Sequence, residues 1–269
     1  MKEDIEVSII TIGMNHLKLL KNYLHSIYEV CEPSISFELI YVDNYSNDGS
    51  IEYVRQNYPQ VKIIENKTIK GFATNNNIGV KNSTGKYILI LNPDIILLPH
   101  AVDNLYNYLR ENKSIGILVP KLLNADLTVQ FSLRKFMNFK IIFYRFFYKG
   151  KNNLKSKVTQ DYLLTNFDRN KTQPIDWALG AAMFLTREWF NQLDGFDEGY
   201  FLYVEDVDIC LRNWKLGKPV VYYPESVFIH AHQRSSSMGW NKTKLMHIKS
   251  MLRLFWKHNL FFKSYNFTP

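Results

Sequence analysis

Tyr-Ile-Leu-Ile-Leu-Asn-Pro-Asp, residues 87–94, is an unbroken apolar run that stops at a turn and a carboxylate. Ile and Leu without polar alternation fit a strand buried on both faces, as in the middle of a parallel sheet. In open α/β sheets such a strand delivers its carboxyl end to the crevice where ligands bind. Asp94 occupies that end. A carboxylate held there suits a hard divalent cation, which in turn neutralises phosphate. The first expectation is therefore an α/β chain that brings a metal and a nucleotide to Asp94.

Upstream, residues 7–11 read as a short strand, and Leu17, Leu20, Leu24 and Ile27 follow at helical spacing. Residues 37–42 form a second strand ending at Asp43, and 61–65 a third. The polar run 43–50 is a loop in which Asp48 or Ser50 can accept from the free N–H groups of the next helix. Strand–helix–strand alternation at this spacing predicts right-handed crossovers and a parallel sheet. Gly71, Gly79 and the run Asn75, Asn76, Asn77 let a ligand approach a helix closely, or let that helix pack tightly on the sheet.

Downstream, Pro99 suits a first helical position, with Val102, Leu105 and Leu109 as an apolar stripe. Leu127, Val129, Phe131 and Leu133 alternate with polar residues, which predicts a half-buried strand. Phe136, Phe139, Phe143 and Phe146 recur at helical spacing, with Tyr144, Phe147 and Tyr148 adding apolar surface. This basic aromatic segment, 134–157, suits a membrane interface or a solvated helix with a core-facing stripe. Residues 175–186 read as another strand, with Asp176 at its head and Gly180 marking a bulge or a close approach. Glu205, Asp206 and Asp208 fall in the first turn of a helix carrying Val207, Cys210, Leu211 and Trp214, with Gly217 as its stop signal. Acids there favour the helix dipole, yet three together also suggest a site. Residues 220–223 and 227–230 read as short strands with His230 and His232 on one side. Residues 243–258 form a basic amphipathic helix, suited either to the body of the protein or to an anionic membrane surface.

The 269 residues, 46% of them apolar, allow one large α/β domain or a domain with an appendage. Cys31 and Cys210 have neither metal nor disulfide spacing, which predicts a reduced, cytoplasmic protein. No signal peptide opens the chain, and no window is apolar enough for a membrane span. The net charge is +8, and between Leu127 and Gln160 every charged residue is Lys or Arg. No nucleic-acid-binding motif accompanies that charge, so no nucleic-acid partner is expected.

Together the motifs VDNYSNDGS (42–50), NKTIKGFATNNNIG (66–79), ILNPD (90–94), DWALGAAMF (176–184), DGFDEGYFLYVEDVDICLR (194–212) and FIHAH (228–232) resemble glycosyltransferase family 2, the inverting GT-A enzymes. The NPD variant, the GFxxNNNI segment and SLRKF (132–136) look most like bacterial O-antigen and capsule rhamnosyltransferases. The resemblance implies a GT-A fold: a Rossmann-like, mostly parallel sheet flanked by helices, with a C-terminal helical appendage. It implies a transferase domain over 1–235, a nucleotide-sugar half (1–98) and an acceptor and catalytic half (99–235), with 236–269 as the helical segment. By similarity, Thr11 and Asp43 would border the base, Gly71 and Asn77 would line the donor pocket, and Asp94 would hold Mg²⁺ or Mn²⁺ on the diphosphate. Asn92 stands where the family's DxD has its first Asp, which makes His230 a candidate second metal ligand. Asp206 matches the catalytic base. Asp176, Trp177, Glu205 and Asp208 would face the acceptor or orient the base.

These implications amount to sugar transfer, most simply of L-rhamnose from dTDP-L-rhamnose, to a lipid-linked oligosaccharide at the inner face of the membrane. The chain would be peripheral there, on an anionic surface. Three alternatives share the strand and crevice logic: another donor such as a UDP-sugar, a sugar nucleotidyltransferase, and a non-catalytic nucleotide-sugar-binding module. The second expects basic residues after the first strand to hold triphosphate, and Thr11-Ile12-Gly13-Met14-Asn15 lacks them.

Overall fold

The computed structural model describes residues 4–137, 141, 144, 154–231, 242–260, 265 and 267. From the amino terminus the chain alternates β1 (Val7–Gly13), α1 (Leu17–His25), β2 (Phe37–Asp43), α2 (Ser50–Asn57), β3 (Lys62–Glu65), α3 (Phe72–Lys81) and β4 (Tyr87–Leu91). Then come β5 (Ile95–Leu97), α4 (Ala101–Glu111), β6 (Ile117–Leu123), β7 (Leu133–Arg134), α5 (Lys157–Tyr162), β8 (Gln173–Ile175), β9 (Trp177–Ala178) and β10 (Ala182–Thr186). The chain continues through α6 (Arg187–Gln192), α7 (Glu205–Lys215), β11 (Val220–His230) and α8 (Lys242–His258).

β4 is buried on both faces, as its apolar run requires. Ile88 and Ile90 join a core with Ala73 and Val80 of α3, Leu211 of α7 and Leu254 of α8. Leu89 and Leu91 join the opposite core with Leu20 and Leu24 of α1 and Leu105 and Leu109 of α4. Neighbouring strands obey the same alternation, as Met183 and Leu185 of β10 face the first core and Ala182 and Phe184 the second. Each buried Ile, Leu, Val, Met or Phe among them contributes roughly 1.5–3 kcal/mol.

Among the described residues the sheet has nine strands in the order β3-β2-β1-β4-β10-β6-β11-β5, with β8 beside β11. β3, β2, β1 and β4 run parallel. Beyond β4 the sheet is mixed: β10 is antiparallel to β4 and β6, and β11 is parallel to β6 but antiparallel to β5 and β8. β10 begins where β4 ends, since Ala182 pairs with Leu91. The carboxyl edge of β4 is thus roofed by the segment leading into β10.

Local readings succeed where one hydrogen-bonded element explains them. Asp48 Oδ1 accepts from the Ser50 N–H at the start of α2, and its Oδ2 accepts from Leu17 N at the start of α1. Gly217 closes α7 at φ +87, donating to Trp214 O. Four readings change. The run 175–186 is not one strand: it divides into the end of β8, then β9 and β10, which pair with β11, β7 and β4 respectively. α4 starts at Ala101, not Pro99, because Ala101 N donates to Leu98 O and leaves Pro99 inside that turn. The alternating stretch 127–133 is mostly loop: Asp126 accepts from Thr128, Leu127 takes φ +65, and only Leu133 and Arg134 enter a strand. The two strands read at 220–230 are one strand with a register shift between Tyr223 and Val227. Phe139, Phe143, Phe146, Phe147, Tyr148 and His232 lie outside the described residues. Phe136 is buried in the first core.

Candidate active site

Asp94 and His230 meet at the carboxyl edge of β4, and Asp206 is tied to that edge through the segment before β10. Asp94 lies in the turn between β4 and β5. Its backbone carbonyl accepts from Ala231 N, just past the end of β11, so His230 arrives beside it. His230 Nε2 lies 3.3 Å from Asp94 Oδ1. The third group comes through β10: Asn92 N donates to Ala181 O, and the preceding Gly180 donates its N–H to Asp206 Oδ2 at 3.1 Å. Asp94 and Asp206 are thereby connected by two short backbone links across the sheet edge.

His230 is held by a residue that the sequence reading missed. Gln130 Oε1 lies 2.8 Å from His230 Nδ1, and Gln130 Nε2 donates to Asn124 Oδ1. That amide orientation makes Oε1 the acceptor, so Nδ1 carries the proton and Nε2 is turned toward Asp94. An oriented imidazole nitrogen beside a carboxylate oxygen is a donor set suited to a divalent cation. Their 3.3 Å separation is close to the ~3 Å between adjacent ligands when metal–ligand bonds are about 2.1 Å. Among the described residues no three His, Cys, Asp or Glu side chains converge as a complete metal cage. A cation here would need ligands beyond Asp94 and His230.

Asp206 opens α7 and lines a cavity of about 310 Å³ with Arg134, Trp177, Tyr203, His247 and Met251. Its Oδ1 accepts from Val207 N at 2.8 Å and its Oδ2 from Gly180. A Cβ on Gly180 would come within 3.2 Å of Asp206 Cβ, so the close approach expected at this glycine is made by Asp206 itself. Burial raises the pKa of Asp206, partly offset by those two amides. Glu205 is buried beside it, with Oε2 unpartnered, and burial followed by the Asp206 charge pushes its pKa up to about 8. One carboxylate of this pair therefore keeps its proton at neutral pH. A wider, open depression of about 610 Å³ lies around Asp4, Glu32 and Ser34, at the opposite end of β1 and β2, away from all of these groups.

Several residues expected at ligands also make internal contacts. Thr11 is fully buried, donating to Leu91 O and bonded to the Tyr23 hydroxyl. Asp43, 1% exposed, accepts from Tyr41 OH and Ser46 N and shapes the loop after β2. Asn77 accepts from Phe196 N and donates to Phe196 O, clamping the chain before α7. Gly71 starts α3, and a Cβ there would meet Phe201 O at 2.7 Å, so its role is to let that chain pass. Asn92 supplies the backbone link to Ala181. Asp176 is buried and accepts from Phe136 N, which removes it from the acceptor side, whereas its neighbour Trp177 lines the cavity.

Asp208 is likewise removed from the acceptor by its partners. It is fully buried and meets Arg212 Nε at 2.7 Å, Lys257 Nζ at 2.9 Å and His258 Nε2 at 2.8 Å, tying α7 to α8. Burial alone would raise its pKa, but these partners outweigh it and hold the carboxyl well below the usual range. The stabilisation is complete above the ordinary Asp pKa of about 3.9 and is withdrawn as pH falls toward the lowered native value. Asp208→Ala is expected to cost about 3–5 kcal/mol by leaving buried cations uncompensated. Thermal unfolding at neutral pH reads this directly; an unchanged midpoint with a raised acceptor KM would return Asp208 to the binding surface.

The described residues include no helix long and apolar enough to cross a membrane. The model of the glycosyl transferase family 2 matches residues 8–169. The chain is 29% identical to the rhamnosyltransferase WbbL of Escherichia coli K12, over 92% of this chain and 91% of that protein. It is 27% identical to the N-acetylglucosaminyl-diphospho-decaprenol L-rhamnosyltransferase of Mycobacterium tuberculosis H37Rv, over 81% of this chain and 73% of that one. Among solved structures, GalNAc-T7 with UDP, GalNAc and Mn²⁺ superposes with TM-score 0.68 at 16% identity, over 95% of this chain and 48% of that chain. The mannosyltransferase PcManGT of Pyrobaculum calidifontis with GDP-Man and Mn²⁺ gives TM-score 0.59 at 19% identity, over 96% of this chain and 65% of that chain. This chain thus spans less than two thirds of either solved protein, and their likeness identifies the GT-A fold. With the family match covering more than half of its length, the chain belongs to glycosyl transferase family 2 and is a glycosyltransferase.

Proposed function

We propose that the enzyme transfers L-rhamnose from dTDP-L-rhamnose to a lipid-linked saccharide in the synthesis of a bacterial surface polysaccharide, O-antigen or capsule. The observation that carries this reading is the similarity to a rhamnosyltransferase over nearly the full length of both chains. The decaprenol-linked acceptor named for the mycobacterial relative supports a lipid-borne acceptor here. In this reading Asp206 takes the proton of the acceptor hydroxyl as that oxygen attacks the anomeric carbon from the face opposite the diphosphate. Glu205, protonated at neutral pH, places no second negative charge beside the Asp206 base. Trp177 and Tyr203 form the wall against which a sugar ring can rest. Asp94 and His230 would hold Mg²⁺ or Mn²⁺, whose bound form neutralises the departing diphosphate.

A thermal-shift screen of dTDP-, UDP- and GDP-sugars, each with and without Mn²⁺, tests donor and metal together. The largest stabilisation is expected with dTDP-L-rhamnose plus Mn²⁺; bound donor at 100 Kd adds about 2.7 kcal/mol. Preference for a UDP-sugar would replace the donor while leaving the site intact. That second reading has its own support in the UDP-bound structure of GalNAc-T7.

A further inference from the structure

We propose that the outward face of α8 seats the enzyme on an anionic lipid bilayer, so that the Asp206 cavity, lined by the inner face of the same helix, is held one helix diameter, ~10 Å, from the lipid surface. Leu245, Ile248, Leu252 and Trp256 recur along one stripe of α8 and are exposed, Trp256 by 81%. The stripe spans most of the helix and has no covering partner among the described residues. On the other face Ser250 Oγ donates to Leu202 O, Leu254 and Phe255 enter the core, and His247 and Met251 line the cavity. Arg253 and Lys257 pair with Asp197, and His258 with Asp208, so the helix is fixed to the body in one rotation. Its two faces therefore have a set relation.

Charge selects the occupant. No acidic residue follows Glu225, and α8 carries Lys242, Lys244 and the exposed Lys249 in addition to Arg253 and Lys257, whose charges are met by Asp197 and Asp208. A short helix with a Leu, Ile and Trp stripe bordered by cations lies in the plane of a bilayer interface, and anionic headgroups complement its rim. A second copy using this face symmetrically would set one cationic helix against another. A nucleic-acid backbone offers nothing to cover the aliphatic stripe. The bilayer contact stands on these residues alone; its consequence for the acceptor rests on the function proposed above.

The test is flotation of the full-length enzyme with vesicles of phosphatidylcholine alone and of phosphatidylcholine with phosphatidylglycerol. Wild type is expected to float with the anionic vesicles only, and Leu252→Ser/Trp256→Ser to partition at least about tenfold less. Lys249→Glu should weaken partitioning in the same direction. All of these side chains are exposed, so thermal unfolding and nucleotide-sugar binding should match wild type. Tryptophan emission should shift to the blue on anionic vesicles, and Trp256→Phe should remove that shift while retaining flotation. Equal flotation of the double variant and wild type would overturn the proposal, as would absence of wild type from the vesicle fraction. So would a dimer in light scattering that the double variant abolishes. Vesicle binding without binding of any nucleotide sugar would leave the bilayer contact standing and remove the function proposed above; the converse result would separate them the other way.

Discussion

Asp206→Asn is expected to lower kcat by about 10²–10⁴-fold while leaving the affinity for the nucleotide sugar nearly unchanged. The amide has the shape of the carboxylate and can still accept from one of the two N–H groups, Gly180 or Val207, that hold Asp206 at the cavity wall. What it lacks is basicity. Loss of rate without loss of donor binding is the signature of an interaction made in the transition state. Single-turnover transfer together with equilibrium binding of the donor separates the two. Full transfer by the variant would take the base away from this position.

The pH profile should carry the same assignment. Burial raises the Asp206 pKa, and only the deprotonated form can accept a proton, so kcat/KM should rise with pH through that raised value. Glu205, pushed up to about 8, stays protonated over the rising limb. Its folded pKa exceeds the unfolded value of about 4.3, so its contribution to stability is greatest in acid and falls as pH rises through 8. Glu205→Gln fixes the neutral state. It should retain transfer and unfold at a higher temperature than wild type in alkaline buffer, with no gain in acid. If Glu205→Gln silenced transfer and Asp206→Asn did not, the roles of the two carboxylates would be exchanged.

The sequence was most legible where one feature determines one structure. Burial on both faces makes β4 continuous in Ile and Leu, and a turn at its end leaves Asp94 on the carboxyl edge. Three acids in the first turn of an amphipathic helix likewise marked the start of α7. Polar residues inside the fold were less legible, because a buried staple and a ligand contact call for the same side chains. Asn77, Thr11, Asp176 and Asp208 differ from Asp206 only in what they meet, and those partners lie far along the chain. Gln130 was hidden for a related reason. Alternation over 127–133 imitates a strand, while the turn that breaks it depends on Asp126 and Thr128, and the contact with His230 spans 100 residues. The antiparallel entry of β10 beside β4 also had no local signal, although it is what links Asp206 to the sheet edge.

Gln130 makes the second strong prediction, because it acts on a metal it would not touch. Gln130→Leu removes the acceptor from His230 Nδ1, freeing the ring to change tautomer and orientation. Loss of such a partner typically weakens a metal site about 10–100-fold. Asp94→Asn should weaken it at least as much, since Asn92 supplies no compensating carboxylate nearby. Mn²⁺ titration followed by its electron paramagnetic resonance signal, in the presence of the nucleotide diphosphate, reads affinity independently of turnover. Gln130→Glu is the informative contrast: a carboxylate still accepts from Nδ1 and makes the imidazole a better donor, so Mn²⁺ should be held at least as tightly as in wild type. A purely structural role for Gln130 predicts the reverse order, with the buried charge of Glu more damaging than the apolar Leu. Unchanged Mn²⁺ binding in both Asp94→Asn and Gln130→Leu would move the metal away from this edge of the sheet.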